Sequence, residues 1–485
     1  MLIRGATVYD GTGAAGAIRD VAVRGDRIVD GDHDDGVVLD GTGLALAPGF
    51  VDVHTHDDAA VLVDPELRCK TLQGVTSDIV GNCGMGIAPH RVGLALFRAW
   101  TPGLEDVPAW DGYGGYLDLL DANPPSLNVG VLVGHGSVRA EVLGGGDVQP
   151  DDAGLDRMRS LVREGMDAGA LGLSTGLIYE PGRYSRTEEV IALASEARAG
   201  IYATHMRNEA DHLLDAVAEA IRIGEEAGIR VQISHHKASG RANWGRVRES
   251  LALIDAARAR GVDVALDQYP YTAGSTSLAA IIQNGALDGG PGSGVGELGP
   301  EQVLVASAEG HREWEGRHLG QIGELVGMPW RMAADHVVTA THGSAIVVLE
   351  SMSEDDVRTV MAHPATMIGS DGIPAPGKPH PRLWGTFPRV LGRYARDEGV
   401  LGLADAIRRM TSLPCETFGL TDRGVIRDGA FADLVLFDPA TIADVGTYDD
   451  PARPPTGIRA VIVNGTVVAR DGEHTGARPG RALRR

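Results

Sequence analysis

Apolar and polar residues alternate at period two near both ends of the chain. Leu2-Ile3-Arg4-Gly5-Ala6-Thr7-Val8 and Val21-Ala22-Val23-Arg24 read as short strands parted by Gly-rich turns. Segments 432–438 and 460–465 repeat that texture, with turns at Asp438-Pro439 and Asn464-Gly465. The shared rhythm predicts one small β-sandwich domain built from both termini, residues 1–48 with 426–485.

The stretch 49–425 has a different rhythm. Apolar β-rich runs fall at 49–56, 76–81, 127–134, 170–173, 202–205, 230–235, 263–269 and 367–370. Helical patterns lie between them, for example 211–227 and 246–260. In the first, Leu213, Leu214, Val217 and Ile221 recur at three and four residues. Eight strands separated by helices predict an α/β fold, a parallel (β/α)8 barrel of the TIM type. One segment breaks the alternation. Residues 276–341 are Gly-rich and then helical, between the seventh and eighth strands, and are predicted to lie over the active-site face.

A length of 485 residues suits one such barrel with a smaller partner. The net charge of −22 argues against a protein that tracks nucleic-acid phosphates, and no long run of like charge occurs. The 43% apolar content excludes disorder over the whole chain. Cys69, Cys83 and Cys415 cannot make a disulfide framework and suit a reducing compartment. The first residues lack the plan of a signal peptide, and no apolar run reaches the roughly 18 residues of a membrane span. The expectation is a cytoplasmic protein acting on a small molecule, with no nucleic-acid or membrane partner. No motif specifies an oligomeric state.

The first chemical signal is Val51-Asp52-Val53-His54-Thr55-His56. On a strand, residues two apart share a face, so both imidazoles project together where barrels keep their chemistry. Cys83, His205, His235 and Asp371 each follow or end a β-rich run in the same way. Imidazole, thiolate and carboxylate are the ligand types that zinc takes. Taken singly, each residue also reads as structural, and Asp371 before Gly372 reads as a helix N-cap. Six such residues at successive strand ends do not read as core filling. His236 points away from His235 on a strand and reads as packing or as support for a ligand.

These residues resemble the amidohydrolase superfamily, and within it the N-acyl-D-amino-acid deacylase (D-aminoacylase) family. The matching segments begin with Pro48-Gly49-Phe50-Val51-Asp52-Val53-His54-Thr55-His56 and Gly81-Asn82-Cys83-Gly84. They continue through Leu173-Ser174-Thr175-Gly176, Thr204-His205-Met206-Arg207 and Ile233-Ser234-His235-His236-Lys237. The last are Asp267-Gln268-Tyr269-Pro270-Tyr271, Gly369-Ser370-Asp371-Gly372 and His380-Pro381-Arg382, so the resemblance covers nearly the whole chain.

The resemblance implies a zinc enzyme. Cys83, His205 and His235 would hold the tighter zinc. His54 and His56 would hold a second, weaker position, with Cys83 and Asp371 near both. Zinc acidifies water and polarises an amide carbonyl, while Asp371 would take the water's proton and pass it to the leaving amine. Lys237, Tyr269 and Ser275 would bind the substrate's α-carboxylate, with Arg382 a further candidate and Tyr179 a wall or donor beside the scissile amide. Tyr269 and Tyr271 read equally as core aromatics, and Arg382 as the partner of an acid. His342 has no role in this reading.

The rival within the superfamily is the dihydropyrimidinase type, which hydrolyses cyclic amides. Those enzymes bridge two metals with a carboxylated lysine at a strand end. Here only Lys70 precedes His205, in the helix-like stretch Leu67-Arg68-Cys69-Lys70-Thr71, badly placed for that task. Hydrolysis of hydantoin-type rings or of dipeptides stays the alternative. A scaffold without catalysis would lack the ligands, and a deaminase would carry a Glu-bearing segment where His235-His236-Lys237 stands. Segment 276–310 contains no Lys or Arg. This predicts a neutral or hydrophobic D side chain, with Leu278, Ile281 and Ile282 as candidate contacts, unless a cation such as Arg312 reaches the site.

Overall fold

A computed structural model describes residues 1–31, 36–288 and 293–485. Residues 32–35, in the predicted terminal β segment, and 289–292, in the predicted insertion, lie outside the described residues.

The centre is a parallel barrel. Its strands are β1 (Phe50–Asp52), β2 (Val75–Val80), β3 (Asn128–Gly134), β4 (Gly172–Gly176), β5 (Ile201–His205), β6 (Arg230–Ile233), β7 (Val264–Gln268) and β8 (Thr366–Ile368), each paired with the next in chain order except across the β8–β1 seam. Both faces are covered, so whole strands are buried and read as continuous apolar runs. The helix Leu213–Ala227 packs outside through Leu213, Val217, Ala220 and Ile221. It ends at Gly228, whose φ of 64° gives the left-handed cap that a side chain would strain.

The seam between β8 and β1 is closed by loop backbone. Asp371 N donates to His54 O at 2.7 Å, and His56 N donates to Gly372 O at 3.0 Å. Three of the six predicted metal ligands therefore sit on the bonds that complete the ring. Several strand limits differ from the sequence reading. β1 stops at Asp52, so His54 and His56 lie beyond the strand, on either side of the isolated bridge at Thr55. β4 starts and ends later than 170–173, and β6 stops at Ile233, so His235 and Lys237 lie beyond the strand rather than sharing one of its faces.

Both termini build one nine-stranded sheet. Leu2–Val8, Ala17–Arg24, Arg27–Val29, Val38–Asp40 and Ala45–Pro48 join Leu434–Phe437, Ile458–Val463, Thr466–Arg470 and Glu473–His474. The link is the antiparallel pairing of Ala45–Pro48 with Leu434–Phe437. Its core holds Ile3, Val8, Val21, Leu46, Leu434 and Ile462. The chain then returns to the barrel. Ala482–Leu483 pairs parallel with β3 at Val129 and Gly130, below the point where Leu132–Gly134 meet β4. Arg485 N donates to Gly169 O at 3.0 Å and finishes this plug at the barrel's lower end.

Between β7 and β8 stands a four-stranded antiparallel sheet, Ala273–Ser277, Ile346–Glu350, Val303–Ser307 and Arg317–His318. Helices Leu278–Gln283, Leu319–Val326 and Trp330–Ala340 pack on it around Leu278, Ile281, Val303, Val305, Leu319 and Val337. Among the described residues, no helix is long and apolar enough to cross a membrane.

Candidate metal centre and active site

The loops after β1, β2, β6 and β8 and the last residue of β5 bring six side chains to one buried point. His54 and His56 flank Thr55 at the seam, and His205 is the last residue of β5. Cys83, His235 and Asp371 have φ of 53°, 36° and 49°. Non-glycine residues enter this left-handed region at a cost, and such strain gathers at functional sites because the surroundings enforce it. Asn82 helps enforce it at Cys83, donating from Nδ2 to Ile79 O at 2.8 Å.

The donor atoms fall into two groups that share one sulfur: His54, His56, Cys83 and Asp371, and Cys83, His205 and His235. Cys83 Sγ lies 3.3 Å from His54 Nε2, 3.7 Å from His205 Nδ1 and 3.5 Å from His235 Nε2. His235 Nε2 and His205 Nδ1 are 2.8 Å apart. Asp371 Oδ1 lies 3.1 Å from His56 Nε2 and 3.5 Å from His54 Nε2. Zinc bonds of about 2.0–2.3 Å give a tetrahedron with edges of about 3.3–3.8 Å. Most of these separations match such edges, and the donor set of thiolate, imidazoles and carboxylate suits zinc.

Acidic partners set the other side of the imidazoles. His54 Nδ1 lies 3.3 Å from Asp267 Oδ1, and the same carboxylate oxygen accepts from His235 N at 2.9 Å. His235 Nδ1 lies 3.0 Å from Glu209 Oε1, which also stands 3.7 Å from His205 Nε2. A carboxylate behind a ligand imidazole fixes its tautomer and raises its basicity. Burial works against a thiolate at Cys83, but His54 and the imidazoles of His205 and His235 hold it well below its ordinary value. Burial likewise opposes the Asp371 carboxylate, and Arg382 with His54 hold it well below the usual range. Both groups are thus kept as anions, the form in which they bind metal.

A cavity of about 380 Å³ opens onto these donors. Tyr179, Lys237, Tyr269 and Ser275 line it with Cys83, His205, His235 and Asp371. Tyr179 stands edge-on to His205 and shares a 3.0 Å hydrogen bond with Thr276 Oγ1. Lys237 Nζ donates to Glu209 Oε1 at 2.5 Å. Arg382 is fully buried, with Nη2 3.0 Å from Asp371 Oδ2 and its guanidinium 4.4 Å over the Tyr269 ring. Among the described residues its Nε and Nη1 have no hydrogen-bond partner, so two strong donors stand beside the carboxylate.

The amidohydrolase family model matches residues 37–469 of the chain, most of its length. The chain belongs to the amidohydrolase family. It is 42% identical over its full length to a D-aminoacylase of Alcaligenes xylosoxydans xylosoxydans, covering 97% of that protein. An N-acyl-D-aspartate deacylase of the same organism is 40% identical, over 99% of this chain and 94% of the relative. Among solved structures, an N-acyl-D-glutamate deacylase from Bordetella bronchiseptica aligns with a TM-score of 0.89 at 38% identity, covering 100% of this chain and 99% of that one. That protein was crystallised with zinc and a phosphonate mimic of the tetrahedral intermediate.

Within this amidohydrolase, all six predicted ligands converge, and the four predicted cavity-lining residues lie at the cavity, with Arg382 behind Asp371. The predicted selectivity residues do not lie there. Leu278 and Ile281 turn into the insertion's own core and Ile282 packs against it, while Ala279, Ala280 and Gln283 of the same short helix line the cavity. His342, unplaced by the sequence, stands on the rim. Glu209 and Asp267 are the polar residues that sequence reasoning missed. Asp267 lies within an apolar strand and Glu209 in a loop, and neither occupies the strand-end position that marked the others. Lys70 bridges no metal ligands. Its ammonium is caged by Asp52 at 2.6 Å, Ser370 Oγ at 2.6 Å and Asp57 at 3.3 Å.

Proposed function

We propose that the protein hydrolyses the amide bond of N-acyl-D-amino acids, releasing a carboxylate and a free D-amino acid. The observation that carries this reading is Cys83, one thiolate shared by two groups of donors. It would serve where the cyclic-amide enzymes use a carboxylated lysine, while Lys70 is locked in its own ion pairs.

Cys83, His205 and His235 would hold the tighter zinc, and His54, His56 and Asp371 the weaker position. Zinc held there supplies a Lewis acid for the amide carbonyl and lowers the pKa of water. Asp371 takes the attacking water's proton and delivers it to the leaving amine. Its link to Arg382 keeps it unprotonated and oriented beforehand. Lys237, Tyr269, Ser275 and Arg382 hold the substrate's α-carboxylate, since cationic and hydroxyl donors suit that group. Glu209 keeps Lys237 charged and beside His235. Tyr179 walls the amide. In this reading residues 1–48 with 426–485 act as one β domain, 49–425 as the hydrolytic barrel, and 276–341 as a cover for the site.

A neutral side chain fits the wall that the insertion and its neighbours supply, with Ala279, Ala280, Val295 and Leu349 at the cavity. The test is amine release from N-acetyl-D- and N-acetyl-L-amino acids by zinc-loaded protein. Release confined to the D series, strongest for neutral side chains and reduced about 10²–10⁴-fold by Asp371→Asn, is expected. Turnover of hydantoins or dipeptides with no release from any N-acyl amino acid overturns the reading.

A further inference from the structure

The wall of the cavity opposite the predicted carboxylate anchors is unlike the rest of it. Lys237, Tyr269 and Ser275 come from the loops after β6 and β7 and from the insertion. Met85, Leu96, Arg98, Ala99 and Trp100 come from the segment between β2 and β3, on the far side of the ring. This segment is apolar up to its edge. Trp100 is buried, Met85 and Leu96 are partly buried, and the exposed Arg98 is the cation among them. Arg98 directly follows the helix His90–Phe97, its N donating to Leu94 O at 3.1 Å.

Arg98 has no ion pair or side-chain hydrogen bond among the described residues. That is informative in a chain of net charge −22, where the nearby Arg91 is paired with Glu141 at 3.0 Å. The other cavity cation, Lys237, is taken by Glu209. Glu180, the rim's remaining carboxylate, accepts from Tyr184 Oη at 2.5 Å. Arg98 thus faces the cavity with its guanidinium uncommitted.

With the amino-acid half of a substrate held on the β6–β7 side and the scissile amide over the metal donors, the acyl half runs toward β2–β3. We infer that Arg98 is the residue that selects the acyl group, and that the favoured substrates are N-acyl-D-amino acids whose acyl chain ends in a carboxylate, of the N-succinyl or N-glutaryl kind. Methylenes lie along Met85, Leu96, Ala99 and Trp100, and the terminal carboxylate meets the Arg98 fork, the pairing for which a guanidinium is shaped. This rests on the deacylase reading above. It leaves the D side chain to the insertion wall.

The test compares N-acetyl-D-leucine, N-succinyl-D-leucine and N-acetyl-D-glutamate as substrates of zinc-loaded wild type, Arg98→Gln and Arg98→Glu. Wild type is expected to favour the succinyl over the acetyl derivative of leucine in kcat/KM. Arg98→Gln lowers succinyl turnover about 10- to 100-fold, mainly through KM, as loss of a charge-assisted pair does. Arg98→Glu lowers it further, and N-acetyl-D-leucine turnover stays within about threefold in both, which also reports intact folding. Equal turnover of succinyl and acetyl substrates in wild type overturns the inference. So does a loss confined to N-acetyl-D-glutamate, which would move the charge to the side-chain half. Failure of every N-acyl-D-amino acid in wild type strikes the deacylase reading instead.

Discussion

Two buried clusters of ionisable groups lie side by side at β1, and they are built on opposite rules. In the first, Lys70 faces Asp52, Asp57 and Ser370, so charge meets charge and donor meets acceptor. In the second, His54, His56, Cys83, His205, His235 and Asp371 turn lone pairs toward one another, with second carboxylates behind the imidazoles. A cluster that carries its own cation against its carboxylates is architecture. One that gathers thiolate, imidazole and carboxylate donors around a shared point is arranged for something that arrives from outside. Both are buried, so burial alone does not tell them apart. The direction of the polar atoms does.

The cage also carries the centre. Asp52 accepts from Ser370 N at 2.8 Å and Oγ at 2.5 Å, and it lies two residues before His54. Ser370 directly precedes Asp371. One ion pair therefore pins the loops that present three of the predicted ligands. Lys70→Met, which leaves Asp52 buried without its counter-charge, is expected to cost about 3–5 kcal/mol of stability in denaturant or thermal unfolding. A loss below ~1 kcal/mol would show the cage to be dispensable and erase the contrast.

Asp267→Asn works from the other side. It keeps a hydrogen-bond acceptor behind His54 but removes the charge, so zinc affinity should fall about 10–100-fold in a chelator competition while the unfolding midpoint of the metal-free protein hardly moves. Unchanged affinity would reduce Asp267 to a packing role.

The smallest effect concerns His236, which neighbours a ligand but belongs to neither cluster. Its Nε2 lies 2.8 Å from Ser250 Oγ, and burial with the nearby Lys237 pushes its pKa down from 6.5 to about 3. Between those values the unfolded chain binds a proton that the folded chain does not, so stability falls as pH drops through that window. In His236→Gln the stability–pH slope between 6.5 and 3 should be shallower. An identical slope would mean that the folded imidazole takes up its proton freely.

The barrel was legible because its strands, buried on both faces, are apolar runs at regular intervals, and helices between them keep a 3.6-residue period. The six predicted metal ligands were legible because each follows or ends such a run. Other features left no trace in the pattern. The left-handed backbone at Cys83, His235 and Asp371 has no residue signature, since only glycine advertises that region. Glu209 reaches its imidazoles from a loop whose path depends on the whole barrel. Leu278 and Ile281 misled for a simple reason: a short helix that covers a cavity also needs an apolar side for its own sheet, and its small residues, Ala279 and Ala280, face the opening.

The sheet shared by the two termini sets a timetable for the chain's manufacture. Strand Ala45–Pro48 emerges early but pairs with Leu434–Phe437, and β3 receives its partner only once Ala482–Leu483 have been made. At roughly 5–20 residues per second, a ribosome needs on the order of tens of seconds to span that gap. During the wait the newborn protein carries an unpaired β edge and an unplugged barrel. A chain cut short before Leu434 would keep that edge unpaired.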